Sequence, residues 1–145
     1  MEETMHYLLM ANHTMFHKAL ITNIKGSGLT SGQPKVLDYL LDHNGVMQKD
    51  IAKACHIEPA SLTGILNGME KKGFIQRQAK DGNRRSLYVS LTEEGMAQAK
   101  KLSLEFQKME EIAMEHMPKE DRKKFMDMLL MIYENLKKYE VRNNE

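Results

Sequence analysis

Between Val46 and Leu91 the period of the apolar residues changes from helical to alternating, and this limits what the chain can fold into. Lys49–Cys55 predicts a short helix, His56-Ile57-Glu58 a tight turn, and Pro59–Lys72 a longer helix stopped by Gly73. Pro59 suits a first helical turn, because its φ is already helical and its missing N–H would have had no partner there. Leu62, Ile65, Leu66 and Met69 recur at i, i+3, i+4 and i+7, the spacing of one buried face. The other face holds Ala60, Ser61, Gly64, Asn67, Gly68 and Lys71, with no bulky hydrocarbon. Such a face can enter a groove and bring the helix backbone close to what lies there. After Gly73 the period drops to two. Ile75, Arg77 and Ala79, then Leu87, Val89 and Leu91, alternate as in a half-buried pair of strands. The connecting Asp81-Gly82-Asn83 is a turn sequence, followed at once by Arg84 and Arg85.

Two helices joined by a short turn, then a basic-tipped hairpin, predict a winged helix-turn-helix. The fold class is mainly α with a small β-wing. The second helix would read a major groove, and the wing arginines would reach the adjacent minor groove or phosphates. Overall charge alone does not suggest nucleic acid, with 21 basic against 20 acidic residues. Its distribution does. Within residues 70–88, Lys71, Lys72, Arg77, Lys80, Arg84 and Arg85 stand against Glu70 and Asp81, so the rest of this net +1 chain is negative.

The flanks read as helices. The first runs to about Ile24, with Met5, Leu8, Leu9, Met15, Phe16, Ala19 and Leu20 as its apolar stripe, and Gly26-Ser27-Gly28 ends it. Thr30 and Gln33 have capping-box spacing ahead of a second helix carrying Val36, Leu37, Leu40 and Leu41, closed by Asn44-Gly45. Thr92 caps a long helix to about Met117, with Met96, Ala99, Leu102, Phe106, Met109 and Ala113 inward. Pro118 opens a last helix whose stripe is Phe125, Met128, Leu129, Ile132, Leu136 and Tyr139. At 145 residues this is a single domain, 1–145. Both terminal helices carry more apolar surface than one small core can bury.

The runs LTSGQPKVLDYL, MQKDIAKACHIEPASLTGILNGMEKKGFIQR and DGNRRSLYVSLTEEG resemble the MarR (multiple antibiotic resistance regulator) family of bacterial transcription factors, over roughly Leu29 to Gly95. The resemblance implies a homodimer on a pseudo-palindromic double-stranded operator, often a repressor, released by a small molecule or an oxidant. It implies dimerisation helices at 1–28 and 118–145, a winged helix-turn-helix at 29–91 with its wing at about 74–91, and a connecting helix at 92–117. Two-fold symmetry would match half-sites about one helical turn, ~34–36 Å, apart.

The family commonly places arginines where this chain has Gly64 and Gly68, which removes the usual arginine–guanine contact. Ser61, Thr63 and Asn67 remain for base edges, with an A·T-leaning site expected from a bidentate Asn67–adenine pair. Gly64 suits close backbone approach, and Lys71, Arg77 and Gln48 suit phosphates. Asn83 stands where many relatives have an acid. Asp81 would instead brace Arg85 and leave Arg84 at the wing tip, and the exchanged assignment stays open. His56 and Glu58 replace a frequent glycine and a frequent serine cap.

For the switch, the family's commonest solution is a small aromatic or phenolic ligand, here expected among His13, Phe16, His17, Tyr39 and Met47, with Met15 and Phe106 nearby. His13 and His17 also have metal-ligand spacing, and Glu111, Glu115 and His116 could add to them, so a metal-sensing regulator stays open. No metal or cofactor is assigned. Cys55, the one cysteine, aligns with a buried leucine, whereas the family's peroxide sensors hold theirs in the first helix. No Gly-rich phosphate loop, GxSxG or HExxH is present, so no enzyme is expected. A winged-helix module that binds protein instead of DNA is the remaining alternative. A reducing cytoplasm is expected, since no internal disulfide is possible, no signal peptide is visible and no run nears the ~18 apolar residues of a membrane span.

Overall fold

A computed structural model describes residues 1–79 and 87–144. Its elements run α1 (Met5–Asn23), α2 (Gln33–Asp42), β1 (Val46–Met47), α3 (Gln48–Ala54), α4 (Pro59–Lys71), β2 (Ile75–Ala79), β3 (Leu87–Leu91), α5 (Glu93–Ala113) and α6 (Lys119–Asn143). They divide into two units, Met1–Met109 and Glu110–Glu145.

In the first unit the helix-turn-helix and hairpin form as the periodicity predicts. Leu62, Leu66 and Met69 are buried with Val36, Leu37 and Leu40 of α2, Ile51 of α3, Ile75 and Val89 of the sheet, and Ala99 and Leu102 of α5. Each large aliphatic in this cluster contributes about 1.5–3 kcal/mol relative to exposure. The antiparallel sheet has the order β1-β3-β2, with Ile75 opposite Leu91, Arg77 opposite Val89 and Ala79 opposite Leu87. Strand β1 was not expected. Two residues have no period of their own, and Val46–Met47 becomes a strand by pairing with Val89 and Tyr88. Asn44 supports this edge, its Oδ1 accepting the Leu91 N–H at 2.8 Å.

Of two expected capping signals, one forms only in part. The Thr30/Gln33 capping box is half made: Gln33 Oε1 accepts the Thr30 N–H at 3.1 Å, but α2 starts at Gln33 behind Gly32 in the left-handed region, φ +88. That φ favours glycine whatever the space, and a Cβ on Gly32 would also press on Ile65 Cδ1 at 2.7 Å. The Thr92 cap is complete, its Oγ1 accepting the Gly95 N–H at 3.0 Å and donating to the Gly73 carbonyl at 2.5 Å.

Helix α5 stops at Ala113, short of Met117, and Ala113 is exposed instead of inward. The turn that follows, with His116 at φ +66, is held within the second unit by Arg122. Its Nε and Nη2 donate to the carbonyls of Met117 (2.9 Å) and Met114 (3.1 Å), and its Nη1 lies 3.0 Å from both Glu111 carboxylate oxygens. Those carbonyls find in Arg122 the donors that further helix would have supplied.

The terminal helices keep their apolar stripes outside. Of the α1 stripe only Leu20 is buried, while Met5, Leu8, Leu9 and Met15 are 40–61% exposed. No residue of α6 is buried, and Phe125, Met128, Leu136 and Tyr139 are 40–69% exposed. Among the described residues no helix is long and apolar enough to cross a membrane.

Candidate nucleic-acid interface

Helices α3 and α4 end in the same way, and this geometry sets the candidate surface. After α3, Ile57 N–H bonds the Ala52 carbonyl at 3.0 Å and His56 N–H the Lys53 carbonyl at 3.4 Å. After α4, Phe74 N–H bonds the Met69 carbonyl and Gly73 N–H the Glu70 carbonyl, both at 3.0 Å. Both are Schellman closures, which need a left-handed residue just past the helix. Gly73 supplies it at φ +80 and His56 at φ +53. The first therefore carries about 1 kcal/mol of strain that a glycine would not.

Of the outer face expected on α4, all but Gly68 is exposed. Ser61, Thr63, Gly64, Asn67 and Lys71 are all exposed. Thr63 Oγ1 donates back to the Pro59 carbonyl at 3.1 Å, so its hydroxyl proton is taken and its lone pairs face outward. A Cβ on Gly64 would meet nothing within 4 Å, whereas one on Gly68 would meet Gln33 Nε2 at 3.1 Å. Gly64 is thus open surface, and Gly68 lies against the buried Gln33 at the start of α2. Lys72, next to Lys71, is committed inward: its Nζ bonds Gln33 Oε1 at 3.2 Å and the Gly28 carbonyl.

Arg77 and Gln48, expected at phosphates, are bonded to each other and to α4. Arg77 lies with only 15% of its side chain exposed. Its Nε and Nη2 donate to the two oxygens of Glu70 at 3.1 and 3.2 Å, its Nη1 to Gln48 Oε1 at 3.4 Å and its Nη2 to Asn67 Oδ1 at 2.7 Å. One guanidinium thereby ties β2 to α3 and to both Asn67 and Glu70 of α4. The hydrogen bond and charge of Arg77 hold the Glu70 carboxyl below its usual range. Sequence reasoning missed Glu70, Lys72 and Gln33. The available signal was opposite charge at Glu70 and Arg77, but no spacing rule links the end of a helix to the strand after it. Arg84, Arg85 and Asp81 lie outside the described residues.

The residues expected around an effector are placed in pairs. His13 and His17 stack along α1 with ring centroids 6.0 Å apart, Phe16 stacks on Phe106 at 6.4 Å, and Tyr39 stacks on His43 at 4.4 Å. Met47 is half-buried in β1. A cleft of about 310 Å³ lies elsewhere in the first unit, lined by Ile24, Leu29, Lys101, Leu102 and Glu105 among others and not by His13, Phe16, His17, Tyr39 or Met47. Burial pushes the Cys55 thiol up, and its Sγ–H points at the Lys35 carbonyl at 3.6 Å. No group of three or more His, Cys, Asp or Glu among the described residues could hold a metal ion, and Glu111 is committed to Arg122.

Comparisons with known proteins converge on one family. The MarR family model matches residues 29–87. The HTH-type transcriptional repressor YetL of Bacillus subtilis (strain 168) is 30% identical over 128 residues, 86% of this chain and 73% of that protein. The S. aureus MepR–DNA complex superposes with a TM-score of 0.81 at 25% identity, covering 92% of this chain and 98% of that one. The PcaV regulator of Streptomyces coelicolor, solved with its natural ligand, shares the fold with a TM-score of 0.78 at 16% identity, covering 92% and 95%.

Proposed function

The chain belongs to the MarR family, and from that premise we propose that it is a homodimeric repressor that reads double-stranded DNA with α4 and lets go when a small molecule binds. The observation that carries this is the outer face of α4: Ser61, Thr63, Gly64 and Asn67 exposed, small and polar, on a helix whose inner face is anchored by buried Leu62, Leu66 and Met69. MepR, of the same fold, is solved on DNA.

In this role Ser61, Thr63 and Asn67 read base edges, and Gly64 lets the helix axis sit deep in the groove. Lys71 at the exposed end of α4 neutralises phosphate. Arg84 and Arg85 reach the neighbouring minor groove, as sequence position alone suggests. The exposed apolar stripes of α1 and α6 support a homodimer, since contiguous apolar surface of this kind is stable in water only when covered. Two copies related by a two-fold axis then face two half-sites.

The 310 Å³ cleft supports an effector site in the first unit, because it falls at the small end of known ligand pockets and mixes Ile24, Leu29 and Leu102 with Lys101 and Glu105. An effector there acts as a releaser only if it binds the DNA-free conformation more tightly. The compartment proposed is the cytoplasm, where the DNA is.

The test is selection from a random duplex pool with the purified protein. An inverted repeat with half-site centres ~34–36 Å apart is expected. A pool that stays random would overturn the proposal and send the search to protein partners.

A further inference from the structure

Arg77 is a guanidinium, with five N–H donors and no acceptor. Any amide bonded to it must therefore present its oxygen. Asn67 does so at 2.7 Å, which turns its Nδ2 away from Arg77 on the exposed face of α4. Gln48 offers its Oε1 to the same group, so its Nε2 is likewise turned away from Arg77. Glu70 balances the charge of Arg77, bonding it through both carboxylate oxygens.

We infer that Arg77 is a positioning residue that makes Asn67 a donor-only reader, so that the base facing it is guanine and not adenine. The inference rests on the DNA-binding function proposed above. Bidentate recognition of adenine needs the asparagine oxygen for N6–H and the nitrogen for N7. With its oxygen engaged on the protein side, Asn67 turns only N–H groups to the groove. Guanine presents two neighbouring acceptors there, O6 and N7, whereas adenine presents a donor beside its acceptor. Gly64, open on the same exposed face, leaves room for this shorter reader. The inference revises the A·T-leaning expectation at that base pair. It also removes Arg77 from the phosphate contacts, because four of its five donors are engaged within the protein and only 15% of its side chain is exposed.

The test compares base preference, salt dependence and thermal stability for wild type, the charge-balanced Glu70→Gln/Arg77→Met double variant, and Asn67→Asp, each selected against random duplex pools. Wild type should enrich guanine at one position per half-site. The double variant should keep its affinity for random DNA within about twofold and its salt slope unchanged, while adenine becomes admissible at that one position. Asn67→Asp keeps an oxygen for Arg77 and replaces the donor by an acceptor, so cytosine, which presents an N4 donor, should replace guanine. If the double variant folds poorly, Arg77→Lys serves, because a compact ammonium has three donors for these four acceptor atoms and lacks the planar fork that spans them. Unchanged preference in these variants, or a salt slope lower by about one, would overturn the inference, the latter by making Arg77 a phosphate contact. Failure of wild type itself to enrich any sequence would instead overturn the DNA-binding function and the inference with it.

Discussion

A Cβ on Gly95 would lie 1.8 Å from the carbonyl oxygen of Phe74, so the first turn of α5 crosses the root of β2 with no space for any side chain. The same crossing carries the Thr92 N–H bond to that carbonyl at 3.0 Å. The contact is backbone on backbone, and no side-chain rotation relieves it. Gly95→Ala is expected to cost about 3 kcal/mol, a fall of roughly 10 °C in Tm. A Tm unchanged in differential scanning calorimetry would show that the crossing is looser than described.

Gly64 is the opposite case. A methyl group there meets nothing and the helix gains a better former, so Gly64→Ala should stabilise by about 0.5–1 kcal/mol. If α4 approaches DNA by its backbone at this point, the same methyl group should weaken operator binding. Chemical denaturation and a binding titration on one sample measure both. Raised stability with undiminished affinity would contradict the close approach.

The Glu70 carboxyl is held below its ordinary value of 4.5, chiefly by the hydrogen bond from Arg77. A depressed carboxylate stabilises the fold at pH above the unfolded value and loses that contribution as pH falls through the folded one. With the Glu70 side chain 43% exposed, the effect is small. Glu70→Gln should therefore flatten the acid side of the stability curve below pH 4.5 and leave its neutral side nearly level. A wild-type curve that the variant reproduces throughout would remove the ion pair from the account.

Burial raises the Cys55 thiol above its ordinary 9.0, with Lys35 opposing and Asp38 assisting the shift. At neutral pH it stays a thiol, the unreactive form. Alkylation by iodoacetamide in the folded protein should be slower than for a free cysteine, with its pH midpoint above 9.0. Peroxide should leave operator binding unchanged. Release of DNA by peroxide in wild type but not in Cys55→Ser would contradict this.

The helices and the hairpin were legible because each buries one face at a fixed period, as Leu62, Leu66 and Met69 do on α4. Strand β1 was not, since Val46 and Met47 take their conformation from Val89 and Tyr88, far along the sequence. The end of α5 was misplaced for a related reason. The periodic stripe could continue to Met117, but Arg122 withdraws the Met114 and Met117 carbonyls into a turn. At the candidate interface, the exposed positions Ser61, Thr63 and Asn67 followed from helical spacing. The Arg77 network did not, because it joins α3, α4 and β2 through side chains whose proximity only the folded chain creates.

The most direct measurement is equilibrium binding of the purified protein to the duplex it enriches and to a scrambled duplex of equal length and composition, at 50 and 200 mM salt. A DNA reader should prefer the enriched duplex by about 10³-fold or more at the higher salt. Affinity for both should fall steeply between the two salt concentrations as counterions are released. Equal affinity for the two duplexes, or no dependence on salt, would contradict the claim that this chain recognises DNA by sequence.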